Sequence, residues 1–143
     1  MNPTQSVPVG AIGESKLVVT PELTVGHRVP GMPLVYGTPF MIWLMEVAST
    51  NAAAPFLPVG WVSVGIEVNI RHLAATPVGR TVTATARIVE VGERAIRFAV
   101  HAHDGVALIG EGIHVRAPVE LARFGRRMRE TRADPPAQDS NAG

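Results

Sequence analysis

The 143-residue sequence predicts an α+β fold: a curved antiparallel sheet of about five strands wrapped around one long buried helix. Three observations lead there. The stretch from Gly37 to Ala54 is apolar on every side of a helix over its first turns, and such a helix is a buried one. Segments of alternating apolar and polar residues follow it, separated by tight turns, which is the pattern of half-buried antiparallel strands. A helix apolar all round also needs more cover than one flat sheet provides. The sheet should therefore curl, with a second copy of the chain over what remains.

Taken in order, residues 1–14 are crowded with Pro, Gly and small polar residues and read as an irregular lead-in. Ser15 to Val25 reads as a first strand, with Pro21 placing an edge or bulge in it. The loop Gly26 to Gly37 carries Pro30, Gly31 and Pro33 and arrives at the helix, where it is placed to cover a pocket. Thr38 followed by Pro39 marks the helix start, since Thr caps orphan N–H groups and Pro at the first turn gives up a donor the helix does not use. Pro55 supplies the stop. Phe40, Met41, Ile42, Trp43, Leu44, Met45, Val47 and Ala48 leave no polar face, and Glu46 is the single charge in the segment. An unpaired carboxylate in apolar surroundings finds a partner or takes up a proton, so the sequence advertises a buried acid.

After a Pro- and Gly-rich turn, Trp61 to Leu73 alternates, with Val62, Val64, Ile66, Val68 and Ile70 on one face. His72 continues that register, so its ring is expected to point at the helix. Arg80 to Val91, Arg94 to His103 and Val106 to Arg116 then form a meander through turns at Gly92-Glu93 and Asp104-Gly105, and Pro118 ends it. Glu120 to Thr131 reads as a short basic helix, and 132–143 as a disordered tail. Residues 15–131 are thus expected to be one domain, as the length also suggests.

Composition narrows the function. A net charge of +1 gives no footprint for a polyanion, and the arginines after Arg116 read as solvated surface, so no nucleic-acid partner is expected. There is no cysteine, hence no disulfide and no thiol chemistry, which fits a reducing compartment. The N-terminus lacks the pattern of a signal peptide and no apolar block reaches the ~20 residues of a membrane span, so a cytoplasmic protein without a membrane role is expected. No Gly-rich phosphate loop and no Gly-x-Ser-x-Gly elbow is present. His101 and His103 share a strand face beside Asp104, but two histidines without a third ligand at fitting spacing do not make a metal site; no metal and no cofactor are expected.

The element order, with HLAATPVG between the second and third strands, resembles the hotdog fold of acyl-CoA thioesterases. More narrowly, TPFMIWLMEVA, GIEVNIRHLAATPVGRTVTATA and AHDGVALIGEGIHVRA resemble the fluoroacetyl-CoA thioesterase family, over roughly Tyr36 to Phe124. The resemblance implies that Thr38, Glu46 and His72 are catalytic and that Gly65 and Arg116 contact the substrate. Thioester hydrolysis needs an attacking oxygen, a base and donors for the oxyanion. Thr38 would be the nucleophile or hold the attacking water, His72 the base, and Glu46 would orient His72 or activate water. Read without the family, Thr38 is a helix cap, His72 a core-edge histidine, Glu46 half of a structural pair, Gly65 a bulge and Arg116 a strand-end arginine. Eight helical residues rise ~12 Å, so Thr38 and Glu46 cannot touch along one straight helix. Either the substrate spans the gap or the site draws on two chains. The family's lid is more aromatic than Gly31, Met32 and Pro33, which leaves the acyl group open. The implied protein is a homodimeric thioesterase acting on a short or small-substituted acyl-CoA. Its rivals are a non-catalytic acyl-thioester binding protein and a hydratase, for which only His103-Asp104 offers the needed pair.

Overall fold

The computed structural model describes residues 1–131, so the tail expected at 132–143 lies outside the described residues. Strands β1 (Ile12–Val18), β2 (Trp61–His72), β3 (Thr81–Val91), β4 (Ile96–His103) and β5 (Leu108–Glu120) form one antiparallel sheet in the order β1-β3-β4-β5-β2. The single turn α1 (Val25–Arg28) and the long α2 (Thr38–Ala53) lie between β1 and β2, and α3 (Leu121–Thr131) follows β5. Helix α2 touches all five strands. Four gaps of ~4.8 Å make a flat sheet ~19 Å across, wider than a helix of ~10 Å, so the sheet curls around it as predicted.

The core lies between α2 and the middle of the sheet. Met41, Leu44, Met45, Ala48, Ala52 and Ala53 meet the alternating inward residues Val82, Ala84, Ala86 and Ile88 of β3 and Ile96, Phe98, Val100 and Ala102 of β4. Each large side chain buried there contributes about 1.5–3 kcal/mol. At Gly13 the first strand lies directly on the helix backbone: a Cβ would collide with the Ala48 carbonyl and the Ala52 nitrogen.

Several boundaries differ from the expectation. Strand β1 begins at Ile12, inside the segment read as irregular, and stops at Val18 because the chain enters a 3-10 turn at Pro21–Leu23. The lead-in is also tied down. Val7 is in the core, and the Thr4 hydroxyl donates to the Gly92 carbonyl at 2.7 Å. Strand β5 runs through Pro118 to Glu120: its pairing with β4 ends at Arg116, so beyond that point it has one neighbour and a missing N–H is tolerated.

The largest correction concerns β2 and the flank of α2 beside it. The expected dry face is wet, with Val62, Ile66 and Val68 38%, 58% and 45% exposed, because β2 is an edge strand paired only with β5. A bulge between Gly65 and Glu67 shifts its register by one residue. Ser63 and Gly65 therefore face inward before the bulge, and Ile70 and His72 after it. Nor is α2 buried all round: Trp43 is 55% exposed and Glu46 half-buried, on the side the sheet leaves uncovered.

Candidate active site

At the start of α2, Gly37 occupies the cap position in extended conformation and no side chain caps the helix. Thr38 is the first helical residue. Its hydroxyl is free of capping duty, and Thr38 Oγ1 lies 2.7 Å from His72 Nδ1 at the end of β2. Burial lowers the pKa of His72 below its ordinary value of 6.5, with the Ala74 backbone pulling partly back. The ring is thus kept neutral and able to accept a proton. Its Nε2 is buried and finds no partner that meets hydrogen-bond geometry among the described residues, as does Tyr36 Oη. Desolvation raises the Tyr36 hydroxyl far above its usual range, so it stays a phenol.

Backbone ties hold the two halves of this pair. Gly37 N–H donates to the Leu23 carbonyl, Tyr36 N–H to the Thr76 carbonyl and Leu73 N–H to the Ile109 carbonyl, at 2.9, 2.8 and 2.7 Å. The Thr76 hydroxyl donates to Asp104 at 3.0 Å, and Asp104 also accepts from the N–H groups of Val106 and Ala107. Burial pushes the Asp104 carboxyl up, but those donors and Arg80 at 3.9 Å outweigh it and hold it below 3.8. The β4–β5 turn thereby anchors the loop after His72 and the segment before Thr38.

Two turns along α2, Glu46 opens a second cluster. A Cβ at Gly65 would stand 2.8 Å from Glu46 Oε1, 3.1 Å from His114 Cε1 and 3.6 Å from Arg116 Nη1, so it would push the Glu46 carboxylate aside and crowd the His114 ring. Arg116 is buried. Its Nε donates to Ser63 Oγ at 2.8 Å, Nη2 to the Ser63 carbonyl at 2.7 Å and Nη1 to His114 Nε2 at 3.1 Å. His114 is buried against Phe98, with Nδ1 2.8 Å from the Glu67 carbonyl and Nε2 3.9 Å from Glu46 Oε1. Desolvation lowers its pKa, the Glu67 carbonyl opposes that, Arg116 adds to it and Glu46 opposes it.

The five residues singled out in the sequence thus fall into two groups, Thr38 with His72, and Glu46 with Gly65 and Arg116. Glu46 is brought to His114 and not to His72, and the fully sunken acid expected there is half open. Thr38 is not the helix cap, and Arg116 is not an exposed strand end. His114 was missed, although it sits two residues before Arg116 on one strand face, the only sequence signal for it. Ser63 was missed because the bulge reverses its face. Arg71, after the bulge, points into a hollow on the outer side of the sheet with Arg87, His101 and Glu111. Among the described residues no group of three His, Cys, Asp or Glu side chains is set to hold a metal, and His103 Nδ1 instead accepts the Gly105 N–H.

Against this geometry, the family model for fluoroacetyl-CoA-specific thioesterases matches residues 19–122. The chain is 43% identical over 119 residues to the fluoroacetyl-CoA thioesterase of Streptantibioticus cattleyicolor, across 79% of this chain and 86% of that one. A solved fluoroacetyl-CoA thioesterase superposes with a TM-score of 0.81 at 40% identity, covering 90% of this chain and 98% of that one. A thioesterase superfamily member from Thermus thermophilus superposes at 0.82 and 30% identity, over 90% and 95%. A hotdog-like protein from Thermanaerovibrio acidaminovorans, 23% identical, shares the fold at 0.83 over 94% and 100%.

Proposed function

The chain belongs to the fluoroacetyl-CoA-specific thioesterase family, and from that premise we propose that it hydrolyses a short or small-substituted acyl-CoA to the free acid and CoA. The observation that carries this reading is the 2.7 Å contact between Thr38 Oγ1 and a neutral His72. In the proposed reaction Thr38 Oγ attacks the thioester carbonyl and His72 Nδ1 takes its proton. The C–S bond breaks, CoA leaves as the thiolate and receives the proton back, and water then cleaves the acyl-threonine. Glu46, Gly65 and Arg116 form the acyl-recognising side in this proposal. The less aromatic lid, with Met32 exposed, supports a broader acyl range than fluoroacetyl alone.

Thr38, Ile42 and Glu46 recur at four-residue spacing on the flank of α2 that looks toward edge strand β2 and is not fully covered. This supports a homodimer closing over that flank, and the ~12 Å between Thr38 and Glu46 supports a cleft that draws on both chains. A cytoplasmic location fits the cysteine-free composition; no described helix is long and apolar enough to cross a membrane.

The test is a panel of acyl-CoAs with titration of released thiol. Turnover on small acyl groups that disappears in Thr38→Ala and His72→Ala is expected. Binding without turnover on every member would leave the alternative, an acyl-thioester binding protein. Mixing inactive Glu46→Ala with inactive His72→Ala chains should restore activity that neither shows alone, and no restoration would place each cleft within one chain.

A further inference from the structure

The Glu46 cluster poses a question of its own: a carboxylate and a guanidinium flank the same glycine, yet they do not pair. Among the described residues no Lys or Arg nitrogen comes within 4.0 Å of Glu46, whose one ionic neighbour is His114. Arginine is always a donor, so Nη1 beside His114 Nε2 makes that nitrogen an acceptor. The ring proton then sits on Nδ1 and is donated to the Glu67 carbonyl, beside the bulge. Three of the five guanidinium N–H groups thereby go to uncharged acceptors, two on Ser63 and one on His114, and one N–H on each Nη stays free for a ligand.

We propose that His114 is a positioning residue: as the Nδ1–H tautomer it holds Arg116 turned into the Gly65 cradle and keeps the guanidinium from closing an ion pair with Glu46. This extends the reading above, in which Glu46 and Arg116 face the substrate. A closed pair would occupy both groups at once, leaving Glu46 no free oxygen for water or substrate and Arg116 no direction toward the acyl group. The charged groups facing the ring are Glu46 from α2 and Arg116 from its own strand; β2 presents a carbonyl and β4 the Phe98 face. Its placement fits a fixed spacer. The ring is 1% exposed, stacked on Phe98 and hydrogen-bonded at both nitrogens.

Two measurements test this. In protein labelled with 15N at its histidines, the His114 resonances, identified by their loss in His114→Gln, should report a neutral ring protonated at Nδ1 at neutral pH; an Nε2–H tautomer or an imidazolium would overturn the proposal. In the acyl-CoA assay, His114→Leu should lose kcat on the order of tenfold, the effect of one lost hydrogen bond to a charged group. His114→Gln, whose amide can both donate to Glu67 and accept from Arg116, should stay near wild type. Equal losses in the two variants would sink the idea. The tautomer measurement needs neither a folded His114→Leu protein nor any turnover, so it separates this proposal from the thioesterase reading: an Nδ1–H ring in a protein without turnover would sink that reading alone.

Discussion

The two halves of α2 obey different rules. Its last turns bury Ala48, Ser49, Ala52 and Ala53, and β1 lies on the backbone of Ala48 and Ala52 at Gly13. Its first turns carry Thr38, Trp43 and Glu46, each wholly or partly open. Small residues let backbone approach backbone, and packing of that kind tolerates no added atom. The open half instead carries the polar groups, and its geometry is set from outside by the loops tied to Thr76 and Asp104. One half of the helix is an anchor and the other a platform.

If that division is real, the platform can be disarmed without loosening the anchor. Thr38→Ala and His72→Ala should lower kcat by about 10²–10⁴. Because Gly37 and not Thr38 caps the helix, Thr38→Ala should leave stability within about 0.5 kcal/mol, as for a surface substitution. A thermal melt showing the ~1 kcal/mol loss of a helix cap would contradict this. The reverse experiment is Gly13→Ala, which should cost about 1–3 kcal/mol or more by overpacking, read as a lower melting temperature with turnover per folded molecule largely kept. A destabilised and inactive protein would show that the halves are not separable.

Asp104→Asn probes the link between them. It should remove about 1–2 kcal/mol with the charged acceptor of the Thr76 hydroxyl, and lower kcat severalfold by loosening the loop after His72. Acid provides the mildest test. His72 and His114 both have folded pKa values depressed below 6.5, so the unfolded chain binds more protons and their stabilising contribution is complete above pH 6.5. Melting temperature should fall as pH drops from 6.5 through those lower values, and kcat/KM should hold its plateau below 6.5 before His72 protonates. A kcat/KM limb above 6.5 would contradict a buried neutral base.

Much of this was readable in the residues. Pro39 and Pro55 bracket a helix because a fixed φ and a missing donor act locally, although the cap expected at Thr38 is not made, and Gly92 and Asp104-Gly105 mark hairpins for the same local reason. What escaped depends on distant partners. Gly65 in WVSVGIEVNI reads, without the family, as a bulge, yet the alternation was carried unbroken through Ile66 and put Gly65 and His72 on opposite faces, although both face α2. Glu46 was legible as an acid needing company, but its company lies on β5, and no spacing rule distinguishes His114 from His72 as the imidazole that meets it.

That bulge makes the site sensitive to counting. Gly65 and His72 are separated by an odd number of steps, and an unbroken ribbon would turn one of them inside out. One residue inserted between Glu67 and Arg71 keeps every side chain singled out above yet, with the bulge in place, sends Gly65 or His72 to the opposite surface. The frame of this segment is therefore as much a part of the machinery as the letters in it.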